Sequence, residues 1–181
     1  MSFRRITTLA CSLVIASTAF AQGGQPAANA PMSSPPATAN VTLGGKAISI
    51  QYNAPSLRGR HIGSPDFVPY SQWWRTGANP ATTLVTPTNL KIGTLTVPAG
   101  TYTIYTVPAA GAWQLIINKQ TGQWGTEYHQ EQDLGRTPMT SKPMSSPQEV
   151  MSISFENTHD KSTELHVRWG TTDQYVPVTA Q

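Results

Sequence analysis

The chain has 181 residues, with 12 Lys and Arg, 9 Asp and Glu, 4 His, a formal net charge of +3 and one cysteine. A charge so near balance, without a basic stripe, argues against nucleic-acid binding. A lone cysteine excludes an intramolecular disulfide scaffold, so the fold must rest on packing.

The first residues read MSFRRITTLACSLVIASTAFAQ. Arg4 and Arg5 precede an uncharged, mostly apolar stretch from Ile6 to Phe20, and Ala19-Phe20-Ala21 puts small residues where a signal peptidase reads them. Residues 1–21 are expected to be a cleavable secretory leader. Gln22 would then be the new N-terminus, and the protein would be exported to the periplasm or the cell exterior. The apolar core is shorter than the roughly 20 residues that a membrane helix needs, so no membrane span is expected after cleavage. Cys11 lies within that core rather than after it, and reads as a leader residue instead of a lipidation site. Cleavage removes the cysteine and lowers the basic count from 12 to 10, against 9 acidic residues. The mature chain then has no thiol nucleophile or cysteine ligand, and its length of about 160 residues suits one core of ordinary size.

Residues 22–40, QGGQPAANAPMSSPPATAN, hold no charge and almost nothing large to bury. Such a segment cannot offset its ordering entropy and is expected to be a disordered linker before a single domain at 41–181. Val41 to Leu43, Gly44-Gly45 and Lys46 to Tyr52 read as a hairpin, because Gly-Gly suits the tight turns that need positive φ. Ile48, Ile50 and Tyr52 alternate with polar residues, which predicts one buried face. Strands follow at Ala81 to Thr86, at Leu90 to Ile92 and Thr94 to Val97 around Gly93, at Thr101 to Val107 after the Pro98-Ala99-Gly100 turn, and at Trp113 to Asn118. Arg136 to Gln148, rich in Pro and Ser, is expected to be a long surface loop or crossover. Val150 to Glu156 and Leu165 to Trp169 alternate again, joined by a hairpin over Asn157 to Lys161, and Tyr175 to Val178 closes the chain. The best helical candidate is a single turn around Pro69 to Trp74. About eight to ten short strands argue for an all-β antiparallel sandwich, with a barrel as the alternative.

Three polar clusters depart from plain strand patterning: PSLRGR at Pro55 to Arg60, VPYSQWWRTGAN at Val68 to Asn79, and NKQTGQWGT at Asn118 to Thr126. Together with IGTLTVPAGTYTIYTVP and WQLIINKQTGQWGT, these strings make the chain resemble a bacterial exported family catalogued as domain of unknown function 2911. The resemblance runs from about Lys46 to near the C-terminus. It implies an all-β fold and an exported location, and it implies no reaction. Family members often carry an acidic residue after WRTGAN. Here that position is Pro80, which weakens a general acid or base there.

The residues themselves suggest a binding site. Arg58, Arg60 and Arg75 carry planar donor forks suited to carboxylate, phosphate or carbonyl oxygens. Asn79 and Asn118 can donate and accept, and Trp73, Trp74 and Trp124 offer flat apolar faces. Converging from loops, Arg58, Arg60, Trp74, Arg75, Asn79, Asn118 and Trp124 would hold a small polar or carbohydrate-like ligand. The same residue types can also serve only the fold, since Arg ties loop carbonyls and Trp fills cores. That leaves a purely structural or interaction domain as one alternative.

An enzyme is the other alternative. Glu127, His129 and Asp133 lie within one short loop and could bind a metal or shuttle protons, and Glu127 with an Asp or His partner could serve a hydrolase. No other metal or cofactor is expected: no pair of histidines has helical metal spacing, and neither a G-x-S-x-G elbow nor a phosphate loop occurs. His61 also flanks a cluster, whereas His159 and His166 are expected at the surface.

Overall fold

Alternation of apolar and polar residues builds two open antiparallel sheets that face each other. The computed structural model describes residues 33–181, so the expected leader and residues 22–32 of the expected linker lie outside the described residues. The strands are β1 (Pro36–Leu43), β2 (Lys46–Asn53), β3 (Thr83–Thr86), β4 (Leu90–Ile92), β5 (Leu95–Val97), β6 (Gly100–Val107), β7 (Gln114–Asn118), β8 (Asp133–Pro138), β9 (Thr140–His159) and β10 (Ser162–Ala180). One sheet runs β1-β2-β3-β6-β7-β8 and the other β5-β4-β10-β9. Neither closes, so the architecture is the sandwich and not the barrel.

The core is built from inward side chains of both sheets. Leu43, Ile48, Ile50, Leu84, Ile104, Leu115 and Ile117 come from the first sheet, and Leu90, Ile92, Ile153, Leu165, Val167 and Val178 from the second. Each such side chain contributes about 2 kcal/mol on burial. Tyr52 ties the sheets directly, its hydroxyl accepting the Ile153 N–H at 3.1 Å. Gly93 shows why glycine is required at one turn. Its φ is +55°, and a Cβ there would stand 2.3 Å from Thr137 Oγ1.

Four expectations change. β1 starts at Pro36, within the segment read as a linker, and Pro36 to Asn40 pair with Asn53 back to Ser49. Proline is tolerated there because it opens an edge strand. Arg136 to Gln148 is not a loop. Its first residues finish β8 and the rest form much of β9, an edge strand whose polar side chains face water while its backbone pairs with β10. Pro69 to Trp74 forms turns rather than a helical turn, with Ser71 at φ 63°. The one short helix among the described residues is a 3-10 turn at Gln130–Gln132.

His166 is the fourth correction, being 4% exposed instead of at the surface. β10 doubles back at Gly170 (φ 58°), so that the Ala180 N–H donates to the Lys161 carbonyl at 2.8 Å. This brings Asp173 to 2.7 Å from His166 Nδ1 and stacks Tyr175 on the imidazole at 5.1 Å. Arg168 joins Asp173 to Glu156, donating to both oxygens of Glu156. The Arg168 hydrogen bonds hold the Glu156 carboxyl below its usual range. Stability from this group is therefore present above the unfolded glutamate pKa and is lost as pH falls through the lower folded value. Urea unfolding below about pH 4.3 is expected to show a falling limb that flattens in Glu156→Gln. An unchanged limb in the variant would contradict this.

Candidate functional site

The two Arg-containing loops meet at a cleft of about 600 Å³. β2 delivers Asn53, whose side chain donates to the Ser34 carbonyl at 3.0 Å and whose carbonyl accepts the Ala78 N–H at 3.1 Å. The chain then leaves β2 through PSLRGR. The WRTGAN loop enters along β6, where Trp74 forms a bridge with Thr106. Arg58, Arg60, Trp74, Arg75 and Asn79 all line the cleft, as do Ser34, Asp66, Phe67, Gln72, Trp73 and Thr126.

The three arginines differ in what their donors already hold. Arg58 sits at φ 51°, with its own N–H on Glu149 Oε1 at 2.7 Å and its guanidinium on the Ser33 carbonyl at 3.0 Å. Arg60 donates to the Leu57 and Ser56 carbonyls at 2.9 and 3.0 Å and lies 3.8 Å over the Phe67 ring. Both tie loop carbonyls together. Arg75 spends only Nε, on the Gly77 carbonyl at 3.2 Å. Among the described residues its two terminal nitrogens have no acceptor, and no carboxylate is paired with it. Burial holds its pKa below the ordinary arginine value.

The seat of Arg75 is tightly defined. Thr76 is fully buried at φ 50°, a strained conformation for a β-branched residue. Its hydroxyl bonds the Trp74 carbonyl and Thr106 Oγ1, and its carbonyl accepts Thr82 Oγ1 at 2.9 Å. From the opposite side, the Gly125 N–H donates to the Asn79 carbonyl at 3.0 Å. A Cβ on Gly125 would stand 2.8 Å from both that carbonyl and Arg75 Cδ. The glycine of QWGT thus lets its loop press against WRTGAN.

The aromatic floor is largely self-satisfied. Trp74 stacks on Trp169 at 5.3 Å and 14°, and Phe67 meets Trp169 edge-on at 5.2 Å. Trp74 is 8% exposed and Trp169 1%. At the rim, Trp73 packs on Tyr105 and Tyr128.

Asn118 and Trp124 do not line the cleft. Asn118 is fully buried, donates to the His129 carbonyl and Asp133 Oδ1 at 2.9 Å each, and accepts the Gln120 N–H. It braces the loop after β7. Trp124 is 49% exposed and bridges Pro80 through its backbone. The Glu127, His129 and Asp133 loop does not converge as a metal site. Among the described residues no group of three His, Cys, Asp or Glu could hold an ion. Asp133 instead accepts from Asn118, the Tyr128 hydroxyl at 2.7 Å and Arg136. Burial, with the Asp133 bond, pushes the Tyr128 hydroxyl up to about 12. His129 faces Glu131 at 3.0 Å on the surface.

Sequence reasoning missed Phe67, Thr76, Thr82 and Trp169 as parts of the site. Trp169 reads as an inward strand residue, Thr82 as part of a β-branched strand, and Thr76, although inside the WRTGAN string, carries no cue of its own. No sequence signal separates them from core.

Residues 34–178 match a family described as a protein of unknown function, DUF2911, and the chain belongs to that family. No curated protein and no solved structure matches the chain.

Asn118→Ala is expected to destabilise the domain by about 2–4 kcal/mol, because it strands several buried polar groups. Trp124→Ala is expected to change stability by less than about 1 kcal/mol. Urea denaturation of both variants checks this, and a neutral Asn118 variant would contradict the bracing role.

Proposed function

We propose that this is an exported binding protein whose cleft between the PSLRGR and WRTGAN loops holds a small polar ligand. Export is supported by the leader-like residues at Arg4 to Ala21. The binding reading is carried by Arg75, a partly desolvated cation in a cleft of about 600 Å³ whose terminal donors meet no protein acceptor among the described residues. A part-buried cation held this way gains from a ligand oxygen, whereas the open nitrogens of Arg58 and Arg60 are on exposed side chains that water can reach. The cleft volume falls within the usual range for small-molecule sites. Binding rather than catalysis is favoured because the acidic loop around Asp133 spends its carboxylate on internal hydrogen bonds.

A thermal-shift screen of the purified protein against sugars, short peptides and organic acids tests this reading. At least one class is expected to stabilise the protein, by about 2.7 kcal/mol when present at a hundred times its Kd. The same compound should not stabilise Arg75→Ala. No shift from any class, with Arg75→Ala merely less stable, would overturn it.

A further inference from the structure

Resting on the binding reading above, we infer that the ligand of this cleft is a small organic carboxylate, bound through the open fork of Arg75, and not a neutral sugar. The cleft is lined by three cations, Arg58, Arg60 and Arg75, and by one acid, Asp66. Arg58 donates one guanidinium nitrogen to the Ser33 carbonyl and Arg60 donates two, to the Leu57 and Ser56 carbonyls, and both side chains are exposed to water. Arg75 is the part-buried one of the three, and its two terminal nitrogens have no acceptor among the described residues.

Two such nitrogens on one planar group match the two oxygens of a carboxylate.

The aromatic groups point the same way. A sugar site needs an open ring face, yet Trp74 and Trp169 cover each other at 14° and are 8% and 1% exposed. Trp124, the most open tryptophan, lies outside the cleft, and Trp73 at the rim, 39% exposed, has the Tyr128 ring tilted against it at 4.9 Å and 33°. Phe67 is half-covered by Arg60, and with the tryptophan edges it leaves an apolar wall suited to a compact hydrocarbon body. The strained Thr76 and the close approach of Gly125 fix the Arg75 stem before any ligand arrives. This preorganisation lowers the cost of fixing the fork in its binding position.

Isothermal titration of the purified protein with matched pairs tests the inference: benzoate and benzamide, hexanoate and hexanamide, N-acetylphenylalanine and its amide, with inorganic phosphate and glucose alongside. At least one carboxylate is expected to bind, with its amide weaker by about tenfold or more, as loss of a charge-assisted hydrogen bond implies. Arg75→Gln should abolish that binding. Asp66→Asn, a change at an exposed side chain that leaves the core intact, should strengthen it about twofold or more at low salt. The Asp66 variant keeps the question open to measurement even if Arg75→Gln fails to fold. Equal affinity for acid and amide, or binding of glucose or phosphate but no carboxylate, would overturn this inference and leave the small-polar-ligand reading standing. Silence from every probe, with no hit in the thermal-shift screen either, would overturn both.

Discussion

The contact between Asn79 and Gly125 is the constraint on which the site depends. It is a backbone-to-backbone contact, N–H to carbonyl at 3.0 Å, with no space for a side chain on Gly125. Around it the Pro80–Trp124 bridge and the Ala81 N–H to Gln123 carbonyl bond, at 3.2 Å, extend the same seam. The seam joins the loop before β3 to the loop after β7, so two segments far apart in sequence become one wall. Arg75 lies between that wall and the buried Thr76 turn. Its position is set by backbone packing, which costs no reorganisation when a ligand binds.

The three arginines illustrate how one residue type serves opposite ends. Arg60 satisfies carbonyls left over where the chain leaves β2 and covers an aromatic ring, while Arg58 takes the Ser33 carbonyl ahead of β1. Those bonds offset the desolvation of the carbonyls and define the loop. Arg75 is more buried than either and has one side-chain bond, to the Gly77 carbonyl. Four of the five non-glycine residues with positive φ, Arg58, Ser71, Thr76 and Asn79, lie in the loops around the cleft. Strain gathered at one place, held by buried threonine hydrogen bonds, is a pattern associated with binding sites.

Much of the sandwich was legible in the sequence because its information is periodic. Ile48, Ile50 and Tyr52 announce an inward face whatever lies opposite, and Gly44-Gly45 sets the first hairpin. What failed to show was pairing that composition does not encode. Pro36 to Asn40 and Lys142 to Gln148 look like linker or loop because edge strands need a partner's backbone more than apolar side chains. His166 was misread because alternation alone places it outward. The fold of β10 back upon itself, which covers it with Tyr175 and Asp173, is a tertiary event. For the site, the clusters named three arginines that line one cleft, whereas Asn118 and Trp124, grouped with them by motif, are separated from it by geometry. The exposure of Arg58 and Arg60, against the partial burial of Arg75, is a tertiary outcome that no spacing rule reveals.

The most direct test of this account is the position of Arg75 in a crystal structure of the Gly125→Ala protein. The backbone φ at Gly125 lies outside the left-handed region, so the added methyl acts through its contacts. The sandwich is expected to persist, with the Arg75 stem and the Asn79 carbonyl pushed away from residue 125 and the guanidinium displaced from the cleft. An Arg75 side chain found in its original place, with the Asn79–Gly125 seam intact around the new methyl group, would contradict the claim that this contact builds the site.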